Sequence, residues 1–166
     1  NVTDNVILNR GGIKMQVSKE EILHIANLAN LTIEENENIR KLQEEYKDKI
    51  EIYLGAEEDV SYPVKREDFD YIISSYHYIR FRGQYYPFDS NYDYFSTCAE
   101  FFHGDNLAFA KAYYEEFCDY IVKRKPDIIG HFDVLTKNNE LKRFLDTNCQ
   151  QYLNYAKDAI YSLKGK

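Results

Sequence analysis

The sequence contains no tryptophan and only three cysteines in 166 residues, and each shortage narrows what the chain can be. Cys98, Cys118 and Cys149 are odd in number, widely spaced and free of any C-x-x-C pair. That argues against a disulfide framework or a zinc ribbon and makes reduced thiols the expectation. Lysine and arginine form no extended run, the longest being Lys123-Arg124-Lys125, and the formal charge is −7, so the clustered cations that a nucleic-acid face needs are missing. No stretch approaches the roughly 18 uninterrupted apolar residues of a membrane span. Asn1-Val2-Thr3-Asp4-Asn5 lacks the charged and apolar regions of a signal peptide. The expectation is an acidic cytoplasmic protein without a nucleic-acid or membrane partner.

What is present fits one globular domain with a real core: 44% of the residues are apolar. The sixteen tyrosines, paired at Tyr85-Tyr86 and Tyr113-Tyr114, suit either a binding surface or packing in strands and at helix–sheet contacts, and packing is the favoured reading. Residues 1–17 show no clear period, are broken by Gly11-Gly12 and read as a tail. Ser18-Lys19-Glu20-Glu21 fits a capping box for a helical segment over 18–37, with Ile22, Ile25, Ala26 and Ala29 on one face. A charged helix follows from about Glu34 to Asp48, with Ile39, Leu42 and Tyr46 as its inner stripe.

Beyond it the pattern predicts strands at 50–54, 69–74 and 127–130, a helix over 106–123 stopped by Pro126, and helices at about 139–146 and 150–163. Strands separated by helical segments imply an α/β fold with parallel pairing. Residues 80–105, polar and aromatic, read as a long functional loop over the strand ends. No internal repeat or low-complexity tract interrupts this order.

Each predicted strand is followed by a residue able to bind a metal. Ile50-Glu51-Ile52-Tyr53-Leu54 leads to Glu57, Phe69-Asp70-Tyr71-Ile72-Ile73-Ser74 leads to His77, and Asp127-Ile128-Ile129-Gly130 leads to His131. Parallel neighbours would bring all three to one sheet edge, and a carboxylate with two imidazoles suits zinc, iron or manganese. Open coordination positions on such an ion support hydrolysis, because a metal acidifies water and clamps a phosphoryl oxygen. Each residue also has a plainer reading: a hydrogen-bonded histidine after a strand, or a solvated Glu57 beside a solvated Glu58 and Asp59. Asp133 is a candidate either to orient His131 or to meet substrate, although turns favour Asp as well. His24, on the first helix, and His103, beside Gly104-Asp105, read as structural or surface residues.

Residues from about 38 to 164 resemble the middle of a PHP-superfamily phosphoesterase of the histidinol-phosphatase family. The resemblance is carried by Gly55-Ala56-Glu57-Glu58-Asp59, by Ser75-Tyr76-His77, by Gly83-Gln84-Tyr85-Tyr86-Pro87-Phe88-Asp89, and by Phe102-His103-Gly104-Asp105 with Ala112-Tyr113-Tyr114-Glu115. Ile128-Ile129-Gly130-His131-Phe132-Asp133-Val134-Leu135-Thr136-Lys137 is the strongest part. The resemblance implies part of a distorted, TIM-like β/α barrel over 38–166, with Glu57 bridging metals and His77 and His131 binding one of them. It implies hydrolysis of a small phosphorylated substrate, L-histidinol phosphate, in histidine biosynthesis.

The family's opening H-x-H and closing D-x-H motifs have no counterpart here, so the implied site is incomplete and the open strand edges favour self-association. Tyr76, His103 and Asn138 also replace the family's usual valine, glycine and aromatic residue. Met15 to Ala29, and more weakly residues 15–40, are similar to the start of the small C subunit of aspartyl/glutamyl-tRNA amidotransferase. That likeness implies the alternative of a non-enzymatic interaction protein.

Overall fold

The computed structural model describes residues 5–10, 13–18, 33–139 and 143–165. The chain divides into two compact units, Asn1–Gly55 and Ala56–Lys166. In the first, β1 (Asn5–Arg10) and β2 (Ile13–Ser18) form an antiparallel hairpin, with Asn5 opposite Ser18 and Arg10 opposite Ile13. A hairpin therefore occupies the stretch in which no period is visible. The amphipathic segment expected over 18–37, with His24, lies largely outside the described residues.

Helix α1 (Ile33–Glu45) matches the charged helix of the sequence reading and buries Ile39 and Leu42, two of its three stripe residues. The strand expected at 50–54 does not form there. Gln43 donates instead from Nε2 to the Ile52 carbonyl at 2.9 Å, so that backbone is bonded to a helix side chain and not to a ladder. The alternation that suggested a strand persists as burial, since Leu54 is buried while Tyr53 is exposed. Pairing begins immediately afterwards, in β3 (Gly55–Glu58).

The second unit is mixed α/β. Its sheet has the order β3-β4-β7, with β4 (Tyr71–Ser74) parallel to β7 (Ile128–Ile129) through Ile73 opposite Ile128 and Ser74 opposite Ile129. Among the described residues this is a small parallel sheet of three strands accompanied by helices, and no closed barrel is formed. Asp127 fixes the start of β7: its Oδ2 accepts the Ile72 amide at 2.8 Å, and Arg66 grips both of its oxygens. The hydrogen-bonded Arg66 guanidinium holds the Asp127 carboxyl down at about 2.

The segment read as a long loop is built instead from regular elements. Strands β5 (Tyr78–Phe81) and β6 (Gln84–Pro87) pair around a tight turn at Arg82 and Gly83, both with positive φ, as a two-residue hairpin turn requires. Helix α2 (Tyr92–Glu100) follows, capped by the Asn91 carboxamide, which accepts the amides of Asp93 and Tyr94. Its Phe95, Cys98 and Ala99 recur at helical spacing and are buried. That spacing was hidden among the polar residues between them.

Helix α3 (Asn106–Arg124) begins at an Asp105 cap bonded to the amides of Leu107 and Ala108, and ends in a left-handed Lys125 directly before Pro126. It carries the core: Phe109, Tyr113 and Phe117 are fully buried, packed with Phe88 and Phe95 in tilted, edge-on and stacked ring contacts. Helix α4 (Gln150–Leu163) lies on α3, with the Tyr114 and Tyr152 hydroxyls 3.0 Å apart. Many tyrosines thus serve packing, although Tyr53, Tyr62 and Tyr161 remain exposed.

The helix expected at about 139–146 is absent from its described residues, 139 and 143–146. Asn139 is the reason. Its Oδ1 accepts the amides of Phe144 and Leu145 at 3.1 and 3.0 Å and its Nδ2 donates to the Leu145 carbonyl, bonds that compete with a helical ladder. All three cysteines are free thiols, and no helix among the described residues is long and apolar enough to cross a membrane.

Candidate metal centre

Successive residues on a strand face opposite sides, and β3 uses this to separate two adjacent carboxylates. The Glu57 side chain is 48% exposed while that of Glu58 is fully buried. The pairing continues in the neighbouring strand, where Ser75 Oγ donates to Glu57 Oε1 at 2.6 Å and Ser74 Oγ donates to Glu58 Oε1 at 2.6 Å. Two consecutive serines therefore serve two consecutive glutamates on opposite faces of the sheet.

The buried carboxylate also receives Arg124, with Nε 2.8 Å from Oε1 and Nη2 2.5 Å from Oε2, and the Val64 amide at 3.1 Å. Burial pushes the Glu58 carboxyl up, but the bonds from Arg124, Ser74 and Val64 outweigh it and hold the group below the usual carboxylate range. Glu58 and Asp59 are thus not the solvated residues the sequence suggested, since only 1% and 8% of each is exposed. Donors from Ser74, Arg124, Val64 and His77 make their burial tolerable.

Beyond the ends of β4 and β7, two histidines turn toward Glu57. The three residues each place a ligand atom within 4.8 Å of the others, and among the described residues they form the one such convergence of histidine, cysteine or carboxylate groups. Glu57 Oε1 and His131 Nε2 are 3.4 Å apart, close to the edge of a tetrahedron with arms of about 2.1 Å. The rings of His77 and His131 have centroids 5.4 Å apart and are tilted at 59°. A carboxylate and two imidazoles in this convergence suit a divalent ion such as zinc, iron or manganese.

The loop that delivers His131 is built for close approach. A Cβ added at Gly130 would lie 2.4 Å from Ser75 Oγ and 2.9 Å from Ile73 Cγ2, so only glycine lets β7 press against β4 here. The Gly130 amide donates to the Ser74 carbonyl at 2.9 Å. His131 itself has φ +34°, a left-handed backbone that costs a non-glycine residue about 1–2 kcal/mol. The buried Tyr113 hydroxyl donates to the His131 and Phe132 carbonyls at 3.2 and 3.1 Å and holds the loop in that form. Gly130→Ala is expected to destabilise the protein by about 1–3 kcal/mol and to push Ser75 off Glu57. Thermal unfolding together with metal content of the purified variant checks both effects.

His77 is held differently. Asp59 Oδ2 accepts its backbone amide at 2.8 Å and lies 2.7 Å from its Nδ1. This hydrogen bond, with the negative charges of Asp89, Asp59 and Glu57, raises the imidazole above its ordinary value against the opposing effect of burial. Asp89 in turn pairs with Lys137 at 3.3 Å, tying a cation to the same neighbourhood.

Asp133 is exposed, and its side chain makes no hydrogen bond to His131, so the orienting role is not seen, while a role toward substrate stays open. His103 sits at an exposed turn after α2 with φ +56° and takes no part in the convergence. Sequence reasoning missed Asp59, Ser75 and Gly130 as supports. Asp59 was within reach of it, because it lies two residues beyond Glu57 and a period of two puts both on one side of an extended chain.

The chain matches no family model, no curated protein and no solved structure.

Proposed function

We propose that the protein is a metal-dependent phosphomonoester hydrolase of the histidinol-phosphatase type, acting in the cytoplasm on a small phosphorylated substrate such as L-histidinol phosphate. The observation that supports it is the convergence of Glu57, His77 and His131 from three separate strand ends. When bound there, a zinc, iron or manganese ion would supply a Lewis acid for a phosphoryl oxygen and acidify water near neutral pH. The chain's own residues would do the rest. Glu57, fixed by Ser75, would act beside the exposed His131 and the half-buried His77, and Lys137, tethered by Asp89, offers a cation for a dianionic ester. Asp133, exposed on the same loop as His131, is the candidate to accept or return a proton at the substrate.

The test is the metal content of the purified chain beside that of a His77→Ala/His131→Ala double variant. Bound zinc, iron or manganese in the wild type, lost from the variant, is the expected result, accompanied by phosphate release from L-histidinol phosphate that a chelator abolishes. Release by this chain alone is expected to be slow, because Glu57, His77 and His131 supply only part of the ligand set that the resemblance implies. Equal metal content in the two proteins would rule the reading out.

A further inference from the structure

We propose that Asp59 is the positioning residue of this centre: it holds the His77 ring so that Nε2 is the nitrogen offered beside Glu57 and His131, an inference that rests on the metal reading above. A single oxygen of Asp59, Oδ2, meets both the main chain of His77 and its ring, at 2.8 and 2.7 Å. The other oxygen accepts the Ser61 amide, at 3.4 Å. Because an ionised carboxylate can only accept, Nδ1 must carry the hydrogen when the ring is neutral. The lone pair is then left on Nε2, the form in which a histidine bound through that nitrogen is ready for a metal. The double grip on one residue also locks the ring's direction, since rotating either side-chain torsion of His77 breaks the Nδ1 bond while the amide bond keeps Asp59 in place.

The contrast with His131 sharpens the assignment. The His77 side chain is 23% exposed and clamped, whereas that of His131 is 57% exposed and its ring meets Glu57, at 3.4 Å, and the His77 ring. One ligand is therefore set before metal arrives, and the other is free to close on it. Asp59 is 8% exposed, which keeps water from competing for Oδ2. A merely structural Asp59 would serve the local turn through Ser61 and the bridge between Asp59 and Tyr62. Neither of those roles depends on the tautomer of His77.

The experiment reads the side-chain nitrogen signals of His77 in the full, metal-free chain labelled with nitrogen-15, at a pH where the ring is neutral, and then Zn²⁺ affinity by competition with a chelator. Wild type is expected to carry hydrogen on Nδ1. Asp59→Ala is expected to move His77 toward the Nε2–H form and to weaken Zn²⁺ binding about 10–100-fold. Asp59→Asn, which keeps the shape and can still accept one bond, is expected to fall between them.

An Nε2–H ring in wild type overturns the proposal, as does an unchanged tautomer in Asp59→Ala. So does a tautomer that shifts without loss of Zn²⁺ affinity. Weakened binding with an unchanged tautomer reports damage to the fold and overturns it too. A wild-type chain with the expected tautomer that binds no Zn²⁺ overturns the metal reading and this proposal together, and the metal-free spectra separate that failure from the others.

Discussion

Replacing Arg124 with methionine is expected to remove about 3–5 kcal/mol of stability, seen as a fall in melting temperature on the order of 10 °C. The Glu58 side chain has no exposed surface and depends on donors for its charge. Arg124 supplies two of these bonds, at 2.8 and 2.5 Å, and the guanidinium also donates to the Val64 carbonyl at 2.8 Å. Without it, Ser74 and the Val64 amide alone oppose burial, already the largest single influence on the carboxyl. The stability that Glu58 contributes at neutral pH should then weaken.

In wild type the folded Glu58 lies below its ordinary value, so it contributes stability above the unfolded value, near 4.3, that is lost as pH falls through the folded one. In the variant the folded value is expected to rise from that of wild type, so less stability is lost as pH falls. The gap between the two proteins should therefore narrow from neutral toward acidic pH, which melts at several pH values would show. A second change, Glu58→Leu, should recover much of the loss, because a buried pair is costly to break but not to replace. Equal melting of wild type and Arg124→Met at neutral pH would show that the pair does not support the sheet.

Where side-chain period alone decides structure, the sequence was readable. Leu107, Ala110, Tyr114, Phe117 and Ile121 lie on one side of α3, and the Asp105 cap and Pro126 bound it as local chemistry demands. The strand ends that carry His77 and His131 were legible for the same reason: short β-branched runs stop at Ser74 and Ile129, and the two histidines follow. What could not be read depends on partners distant in sequence. Ile50 to Leu54 has a strand's alternation, but Gln43 takes the Ile52 carbonyl. Glu58 and Asp59 resemble surface acids until Arg124, 66 residues away, and His77, 18 residues away, are brought to them. At the described residues of the helix expected near 139–146, Asn139 binds the Phe144 and Leu145 amides instead; its preference for turns is visible in sequence but those bonds are not. The three residues that converge were thus legible and their supports were not, because the former are recognised by chemistry and the latter by geometry.

Addition of Zn²⁺ or Mn²⁺ is expected to raise the melting temperature of the wild-type chain, and His131→Ala is expected to abolish most of that rise while leaving the metal-free protein nearly unchanged. A ligand that binds only the folded state stabilises it by about 2.7 kcal/mol at 100 times its dissociation constant and about 4.1 kcal/mol at 1,000 times, so shifts of roughly 10 °C are within reach. The choice of His131 separates binding from folding. Its side chain is 57% exposed, its bond from the buried Tyr113 hydroxyl goes to a backbone carbonyl that alanine retains, and exposed side chains usually change stability by less than about 0.5 kcal/mol. His77→Ala is a poorer probe, because it deprives the nearly buried Asp59 of its ring partner and destabilises the metal-free chain as well. If the metal-induced rise persists in His131→Ala, the ion sits elsewhere. If it disappears from both single variants while Asp133→Asn retains it, binding belongs to Glu57, His77 and His131, and Asp133 is left to act on substrate alone.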